Sequence, residues 1–266
     1  MYPRLFTFGC SFTSYWWPTW ADLLLSQIDG QNWGLSGVGN KCIFESLIEC
    51  DLVNQITSED KIIIMWSGFT REDRYMNNHW MGFGNVYNAE PQYDKAFLTK
   101  YWDDKGCILH NLNFICAAIK LLEAKGCDWT MASMVPLSTL ENLQDITEDM
   151  SSFKQHLSFI EQFKVKWIRQ DLCSFFQESD CLKFTWDGPK IKKLFKATPF
   201  FDNHPTPLVH YNWLKKHFDP SVLPPESLVK EYEEQVNALS QLEDMHPMVG
   251  QRKQITSCIF KPANRI

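Results

Sequence analysis

Between Lys61 and Trp66 the chain carries the unbroken apolar run Ile-Ile-Ile-Met. A strand that faces water on one side alternates polar and apolar residues, so a run without alternation is typical of a strand covered on both faces. Strands of this kind occur in parallel sheets that have helices on each side. The run therefore predicts an α/β protein with a buried parallel sheet.

Short strand patterns and helical spacings alternate on both sides of this run. We predict strands at residues 5–8, 31–33, 61–66 and 129–134, and helices at residues 20–28, 40–56, 108–122, 153–176 and 207–218. Four strand–helix alternations predict a doubly wound α/β sheet. Residues 70–105 lack a clear period, and we expect them to form an insertion over the rim of the sheet.

An apolar stripe at helical spacing over residues 228–242 predicts one more, amphipathic helix. We expect a main domain of residues 1–219 and a C-terminal helical extension of residues 220–266. The apolar stripe of that helix would pack on the domain or on a partner, for example in an oligomer.

Composition narrows the classes of function. The net charge of −6 argues against nucleic acid as a partner. The chain opens without a basic and apolar leader, and its apolar runs are far shorter than the ~20 residues of a membrane helix. Nine cysteines without a Cys-x-x-Cys pair indicate free thiols and no structural zinc. We therefore expect a soluble, cytoplasmic protein that needs no metal or cofactor and binds no membrane.

The loop after the first predicted strand carries a candidate nucleophile. Gly9 permits a sharp turn at the strand end, and Ser11 follows it. A serine there can attack a carbonyl, or it can simply hydrogen-bond its own backbone. Cys10 is an alternative nucleophile, although a buried thiol that fills space is the more common case.

The loop after the second predicted strand contains three glycines, at positions 34, 37 and 39, before the helix that Asn40 opens. Backbone N–H groups at such a position lie open to an anion. The Gly37 amide could donate to an oxyanion. Glycines before helices are also common without any ligand, and the spacing does not match a dinucleotide fingerprint.

A third segment, late in the chain, contains a candidate base. Asp202-Asn203-His204-Pro205 precedes a predicted helix, and one short loop of this kind could supply a base and the carboxylate that orients it. Asp244-Met245-His246-Pro247 repeats the arrangement. We favour the first copy because a helix follows it to hold the loop. His210 fits a supporting residue better than the base.

Taken together in this order, the three segments resemble the SGNH (GDSL-like) hydrolase family over about residues 4–218. Gly9-Cys10-Ser11 is similar to the family's Gly-Asp-Ser block, and the following Trp17-Pro18-x-Trp20-Ala21 is similar to related members. The resemblance implies a flavodoxin-like fold with a catalytic triad of Ser11, His204 and Asp202. It also implies an oxyanion hole formed by the amides of Ser11 and Gly37.

Two departures from the family pattern concern the catalytic machinery. The family places an asparagine after the third strand as an oxyanion donor, whereas this chain reads Trp66-Ser67-Gly68. Ser67, Asn40 or Arg71 would have to take its place, and losing one donor typically costs about 10²–10³ in rate. The last block usually has two residues between aspartate and histidine, and here it has one. Trp66, Ser67 and Arg71, at or just after a strand end, are our candidate substrate-binding residues.

The resemblance implies a serine esterase that removes an acyl group, such as acetyl, from a carbohydrate-like substrate. The partner would then be a small-molecule or polysaccharide ester. An O-acyltransferase could use the same triad, with a sugar hydroxyl in place of water. A catalytically weak or inactive binding or assembly module, of the kind met in virus particles or surface-polysaccharide loci, is the alternative from another class.

Overall fold

The structure is a computed structural model, and it describes residues 4–76, 78–87, 93–135, 151–178, 184–186, 200–202 and 204–239. The strands are β1 (Leu5–Phe8), β2 (Gly30–Asn32), β3 (Lys61–Trp66), β4 (Arg71–Met76), β5 (His79–Asn85), β6 (Asp128–Ser133), β7 (Phe184–Trp186) and β8 (Phe200–Asp202). The helices are α1 (Trp20–Leu25), α2 (Asn40–Asn54), α3 (Lys95–Tyr101), α4 (Asp104–Lys125), α5 (Ser151–Glu161), α6 (Leu172–Glu178), α7 (Pro207–His217) and α8 (Glu226–Leu239). Two short 3₁₀ turns lie at Lys164–Lys166 and Pro220–Val222.

The main sheet is parallel and has the strand order β2-β1-β3-β6. Five of the six β3 residues are buried, and this strand pairs with β1 on one side and β6 on the other. The apolar run therefore forms a central strand covered on both faces, as its composition predicts. The protein is a mixed α/β protein with a parallel sheet.

The strand order reverses direction between β1 and β3, which fixes where a crevice opens. The chain moves outward from β1 to β2 and then crosses back to β3. Because parallel crossovers are right-handed, helices α1 and α2 lie on opposite faces of the sheet. The helix contacts agree, since α1 packs with α7 whereas α2 packs with α4. The loops after β1 and β3 separate at the carboxyl edge, where ligands bind in sheets of this type.

The insertion predicted at residues 70–105 contains regular structure. Strands β4 and β5 form an antiparallel hairpin, and α3 follows it. The hairpin packs on the Gly37 loop, where Gly84 N donates to Gly37 O at 3.2 Å. Its residues show no clear alternation because several of them contact other loops instead of a single apolar layer.

The single helix predicted at residues 153–176 is wrong. Helix α5 ends at Glu161, and α6 begins only at Leu172. Between them, Trp167 forms a parallel bridge with Met131, and Ile168 N donates to Met131 O at 2.8 Å. This segment satisfies hydrogen-bonding groups at the outer edge of β6, which a continuous helix would leave unpaired.

The C-terminal helix α8 packs on α7, and Val229, Tyr232 and Val236 are buried. Its apolar stripe is thus covered by the chain itself over the described residues. Residues 240–266 lie outside the described part of the chain.

Helix α4 has 22 residues and contains an 18-residue window with a mean hydropathy of 1.4, so by length and composition alone it could cross a membrane. In this structure α4 packs against α2 and α5. Its buried face includes Leu112, Ile115 and Ile119, each with no exposed surface. These are the contacts of a core helix.

Candidate active site

Ser11 lies in a tight turn directly after β1. Cys10 O accepts hydrogen bonds from Thr13 N and Ser14 N at 2.9 and 3.0 Å, so the chain reverses around the serine. The turn is so close that a Cβ at Gly9 would lie 2.0 Å from Thr13 Oγ1 and 3.0 Å from the carbonyl of Met65. Glycine is required at position 9 by this contact. The turn places the Ser11 hydroxyl at the carboxyl edge of the sheet.

His204 reaches Ser11 from the far end of the sequence. Its Nε2 lies 2.9 Å from Ser11 Oγ, although 193 positions separate the two residues. This is hydrogen-bonding distance for a nucleophile and its base. The serine and histidine selected from the sequence therefore form a contact.

Aromatic contacts fix the His204 ring. The imidazole stacks on Tyr15, with ring centres 3.7 Å apart and planes 15° from parallel, and Phe12 lies at 5.2 Å. Trp17 Nε1 donates to Pro205 O at 2.7 Å. The loop after β1 thus supplies both the serine and the surface that holds its partner. The motifs did not identify Tyr15, although the aromatic run Tyr15-Trp16-Trp17 was a visible signal.

Asp202 is the last residue of β8, two positions before His204. Its side chain lies outside the described part of the structure, and so does the second Asp-x-His-Pro copy at residues 244–247. The role of Asp202 as the orienting carboxylate stays a prediction.

His210 lies on α7 and is 1% exposed. Burial, together with the nearby His204, lowers the pKa of His210 to about 3. Its Nδ1 has no hydrogen-bond partner among the described residues. A ring that stays neutral and buried is a poor base, in agreement with the choice of His204.

The predicted oxyanion hole consists of two backbone amides, in the loops after β1 and β2. The N–H groups of Ser11 and Gly37 donate to no acceptor among the described residues. Gly37 adopts φ +84, a left-handed conformation that favours glycine. The two loops are joined, because Leu35 N donates to Gly9 O at 3.0 Å and Ser36 Oγ donates to Ser14 O at 2.7 Å. The two amides without an acceptor therefore lie on loops that are bonded to each other, and their role as an oxyanion hole stays a prediction.

Asn40 does not fit the predicted role of oxyanion donor. Its Nδ2 donates to Ser67 O at 3.0 Å and to Asn111 Oδ1 at 2.7 Å, and its Oδ1 accepts from Ser67 N at 2.7 Å. Both amide hydrogens are therefore used within the protein. Asn40 instead ties the loop after β2 to the loop after β3 and to α4. Asn111, the third member of this network, was not identified from the sequence.

Trp66 does not contact the crevice. It has no exposed surface, and its Nε1 donates to the sulfur of Met131 at 3.3 Å. The prediction that Trp66 binds substrate is wrong, because alternation along β3 turns this side chain into the core. Cys10 is also fully buried, with its thiol 3.5 Å from the sulfur of Met134.

Ser67 and Arg71 remain near the site. The hydroxyl of Ser67 is buried and has no hydrogen-bond partner among the described residues. Arg71 Nη1 donates to Val38 O at 3.1 Å, and its Nη2 lies 3.7 Å from the sulfur of Met134. Within the described residues, no group of three or more histidine, cysteine, aspartate or glutamate side chains could hold a metal ion.

Comparison with known proteins identifies no family for this chain, and it finds matches only among solved structures. No family model matches the chain, and no curated protein matches it. Seven solved chains match, among them the crystal structure of protein YxiM from Bacillus subtilis, with a TM-score of 0.37 and 12% identity. The match covers 98% of this chain, which spans 58% of the length of YxiM. A likeness at this level assigns neither a family nor an activity.

Proposed function

We propose that the protein is a serine-dependent acyl-ester hydrolase of the SGNH type. The main support is the 2.9 Å contact between Ser11 Oγ and His204 Nε2 at the carboxyl edge of the sheet. Chance contacts between a serine and a histidine are common. This one joins two segments selected for the same chemistry, and the loop of Ser11 is hydrogen-bonded to the loop of Gly37.

In the proposed reaction, Ser11 Oγ attacks the ester carbonyl carbon while His204 Nε2 accepts the hydroxyl proton. The amides of Ser11 and Gly37 donate to the oxygen that becomes negative. When the carbon–oxygen bond to the alcohol breaks, His204 returns its proton to the leaving alkoxide. Water then attacks the acyl-serine while His204 takes a proton from it. As the carbon–oxygen bond to Ser11 breaks, His204 returns that proton to Ser11 Oγ, which releases the carboxylic acid and the free serine. Asp202 would orient the imidazole.

The strand order supports the fold that this proposal implies. A sheet ordered β2-β1-β3-β6 matches the first four positions of a flavodoxin-like sheet, whose switch point lies between β1 and β3. Ser11 follows β1 and Ser67 follows β3. Since both side-chain amide hydrogens of Asn40 are used within the protein, we assign the third oxyanion donor to the Ser67 hydroxyl. The proposed substrate is an acyl ester, such as an acetyl ester, of a carbohydrate-like alcohol.

A fluorophosphonate probe and p-nitrophenyl acetate test the proposal. We expect the probe to label Ser11 in the native protein. Ser11→Ala should abolish labelling, and both Ser11→Ala and His204→Ala should lower the rate of p-nitrophenol release by at least about 10³-fold. Ser26→Ala, at the end of α1, is the matched control, and its activity should stay within about twofold of the native value.

Three outcomes would contradict this assignment. If Cys10→Ala loses activity while Ser11→Ala keeps it, the nucleophile is the thiol. If the native protein unfolds cooperatively but neither labels nor turns over, it is a binding module. If added sugar alcohols receive the acyl group in preference to water, the activity is that of an acyltransferase.

A further inference from the structure

A second concave site lies beside the crevice, between the insertion and the N-terminal ends of α2 and α4. Its volume is about 420 Å³, within the range of pockets that hold small ligands. The residues that matter for its chemistry are two cations and four aromatic side chains: Lys41, Arg71, Phe97, Tyr101, Trp102 and Phe114. We call this site the insertion cleft.

The acidic side chains of the insertion cleft are engaged elsewhere. Glu72 lies 3.4 Å from the guanidinium of Arg74. Asp73 is buried and accepts hydrogen bonds from Gly39 N at 2.7 Å and Cys42 N at 3.0 Å, so its charge serves the start of α2. Asp103 likewise accepts from Gly106 N at 2.7 Å, at the start of α4.

The two cations of the cleft have no such partner. No carboxylate of the described residues lies within 4.0 Å of Lys41 or Arg71. Lys41 Nζ lies 5.9 Å from the centre of the Trp80 ring, and Arg71 uses two of its five N–H groups on Val38 and Met134. Three carboxylates also line the cleft, and the buried Asp73 is close enough to Arg71 to interact with its charge. Since these carboxylates are held by other groups, Lys41 and the remaining N–H groups of Arg71 can bind an anionic ligand.

Arg71 connects the cleft to the proposed catalytic groups. On one side it bonds the carbonyl of Val38, the neighbour of Gly37. On the other side it approaches the sulfur of Met134, which also accepts the thiol of Cys10, the neighbour of Ser11. Through these contacts Arg71 is connected to both loops that carry the amides of the proposed oxyanion hole.

We propose that the insertion cleft binds a carboxylate carried on a ring with apolar faces, as in an acidic sugar, and that this ring belongs to the alcohol portion of the ester. The planar guanidinium of Arg71 matches a carboxylate in two-point geometry, and Lys41 adds a second charge. Aromatic side chains such as Trp102 offer flat apolar surface to the ring. The ester part of this inference rests on the proposed function, whereas binding of the carboxylate does not.

Calorimetric titration of the full-length Ser11→Ala variant tests the cleft without turnover. The probes are trigalacturonic acid against neutral galactotriose, and 4-hydroxybenzoate against 4-hydroxybenzamide. We expect each acid that binds to have at least about tenfold higher affinity than its neutral counterpart, because hydrogen bonds to charged groups contribute about that much binding free energy. Binding should weaken as salt is raised.

Charge variants locate the site. In the Ser11→Ala background, Arg71→Gln and Lys41→Gln should each weaken binding of the acids by about tenfold. Lys230 is an exposed lysine on α8, and Lys230→Gln should leave the affinity unchanged. Because Arg71 is half-buried and holds the Val38 carbonyl, Lys41→Gln decides the matter if Arg71→Gln does not fold.

Binding of the saccharide alone supports an acidic sugar, and binding of the benzoate alone supports an aromatic acid. Equal affinity for acid and neutral probes, or no binding of either acid, overturns the inference. Probe labelling of Ser11 in the native protein is measured separately, so failure of the cleft and failure of the proposed function are distinguishable.

Discussion

Replacing Asn40 with alanine should destabilise the protein more than its small size change suggests. Asn40 is 1% exposed and makes three hydrogen bonds, two with the backbone of Ser67 and one with Asn111. Asn40→Ala leaves Ser67 N, Ser67 O and Asn111 Oδ1 without these partners in a buried region. An unsatisfied buried group costs about 1–3 kcal/mol. Entry of water into the vacated space reduces that sum, so we expect a loss of about 3 kcal/mol in unfolding free energy.

Urea unfolding followed by near-ultraviolet circular dichroism measures this loss. With a slope of about 3 kcal/mol per molar urea, the midpoint should fall by about 1 M without a change in slope. Asn54→Ala is the matched control, since Asn54 lies near the other end of α2, is half-buried and makes longer bonds of 3.2 to 3.5 Å. We expect the control to lose less than about 1 kcal/mol.

The Asn40 network also predicts coupling with its third member. Asn40→Ala and Asn111→Ala should be non-additive, because each removes the same 2.7 Å bond. A loss for Asn40→Ala no larger than that for Asn54→Ala would refute the reasoning. So would strict additivity of the two network variants.

Two further predictions concern the Gly37 loop and His210. A Cβ at Gly82 would lie 2.5 Å from the Gly37 carbonyl carbon, so Gly82→Ala should displace the Gly37 loop and slow fluorophosphonate labelling by about tenfold or more. Gly68→Ala is the control: its Cβ would have no atom within 4 Å, and its labelling rate should stay within about twofold of the native value. Burial lowers the pKa of His210 to about 3, so below about pH 6.5 the unfolded chain takes up a proton on this residue that the folded protein does not. The unfolding free energy therefore falls as pH falls. Between pH 6 and 4, His210→Gln should reduce the fall in unfolding free energy by up to about 1.4 kcal/mol per pH unit, as measured by urea unfolding at each pH. An equal fall in the variant and the native protein would contradict this prediction.

The parallel sheet could be predicted because its strands are covered on both faces. The predicted strands at residues 5–8 and 61–66 coincide with β1 and β3, and the one at residues 129–134 lies within one residue of β6. The apolar character of these segments follows directly from burial, so local sequence carries the information. The same holds for α4 and α7, whose apolar faces pack against other helices.

The insertion and the segment after α5 could not be predicted, because their structure depends on distant partners. Hairpin β4–β5 approaches the Gly37 loop through Gly82, a contact of backbone with backbone that leaves no apolar pattern. Trp167 leaves helical geometry to pair with Met131 of β6. In both places tertiary hydrogen bonds outweigh local spacing.

The reacting residues of the candidate site could be predicted, because the residue types and their order along the chain indicate the chemistry. Ser11 and His204 were selected from short segments and lie 2.9 Å apart. The groups that hold them were not identified, because the stacking of Tyr15 on His204 and the bond from Trp17 to Pro205 exist only in three dimensions. The misassignment of Asn40 has the same origin, since its two amide hydrogens are used by partners 27 and 71 positions away.

Positions 10 and 67 both carry residues other than those of the family that the sequence resembles, and the two differences have different physical meaning. Cys10 has no exposed surface and contacts the sulfur of Met134, so position 10 in this protein requires a small side chain suited to the core. An aspartate there would need a buried charge to be compensated, and the cysteine therefore leaves the proposed chemistry untouched. At position 67, under the proposed function, the shorter Ser67 hydroxyl would take the place of an oxyanion donor, and the bonds from Asn40 to the Ser67 backbone hold its loop. Any weakness of the proposed enzyme should therefore originate at position 67, not at position 10.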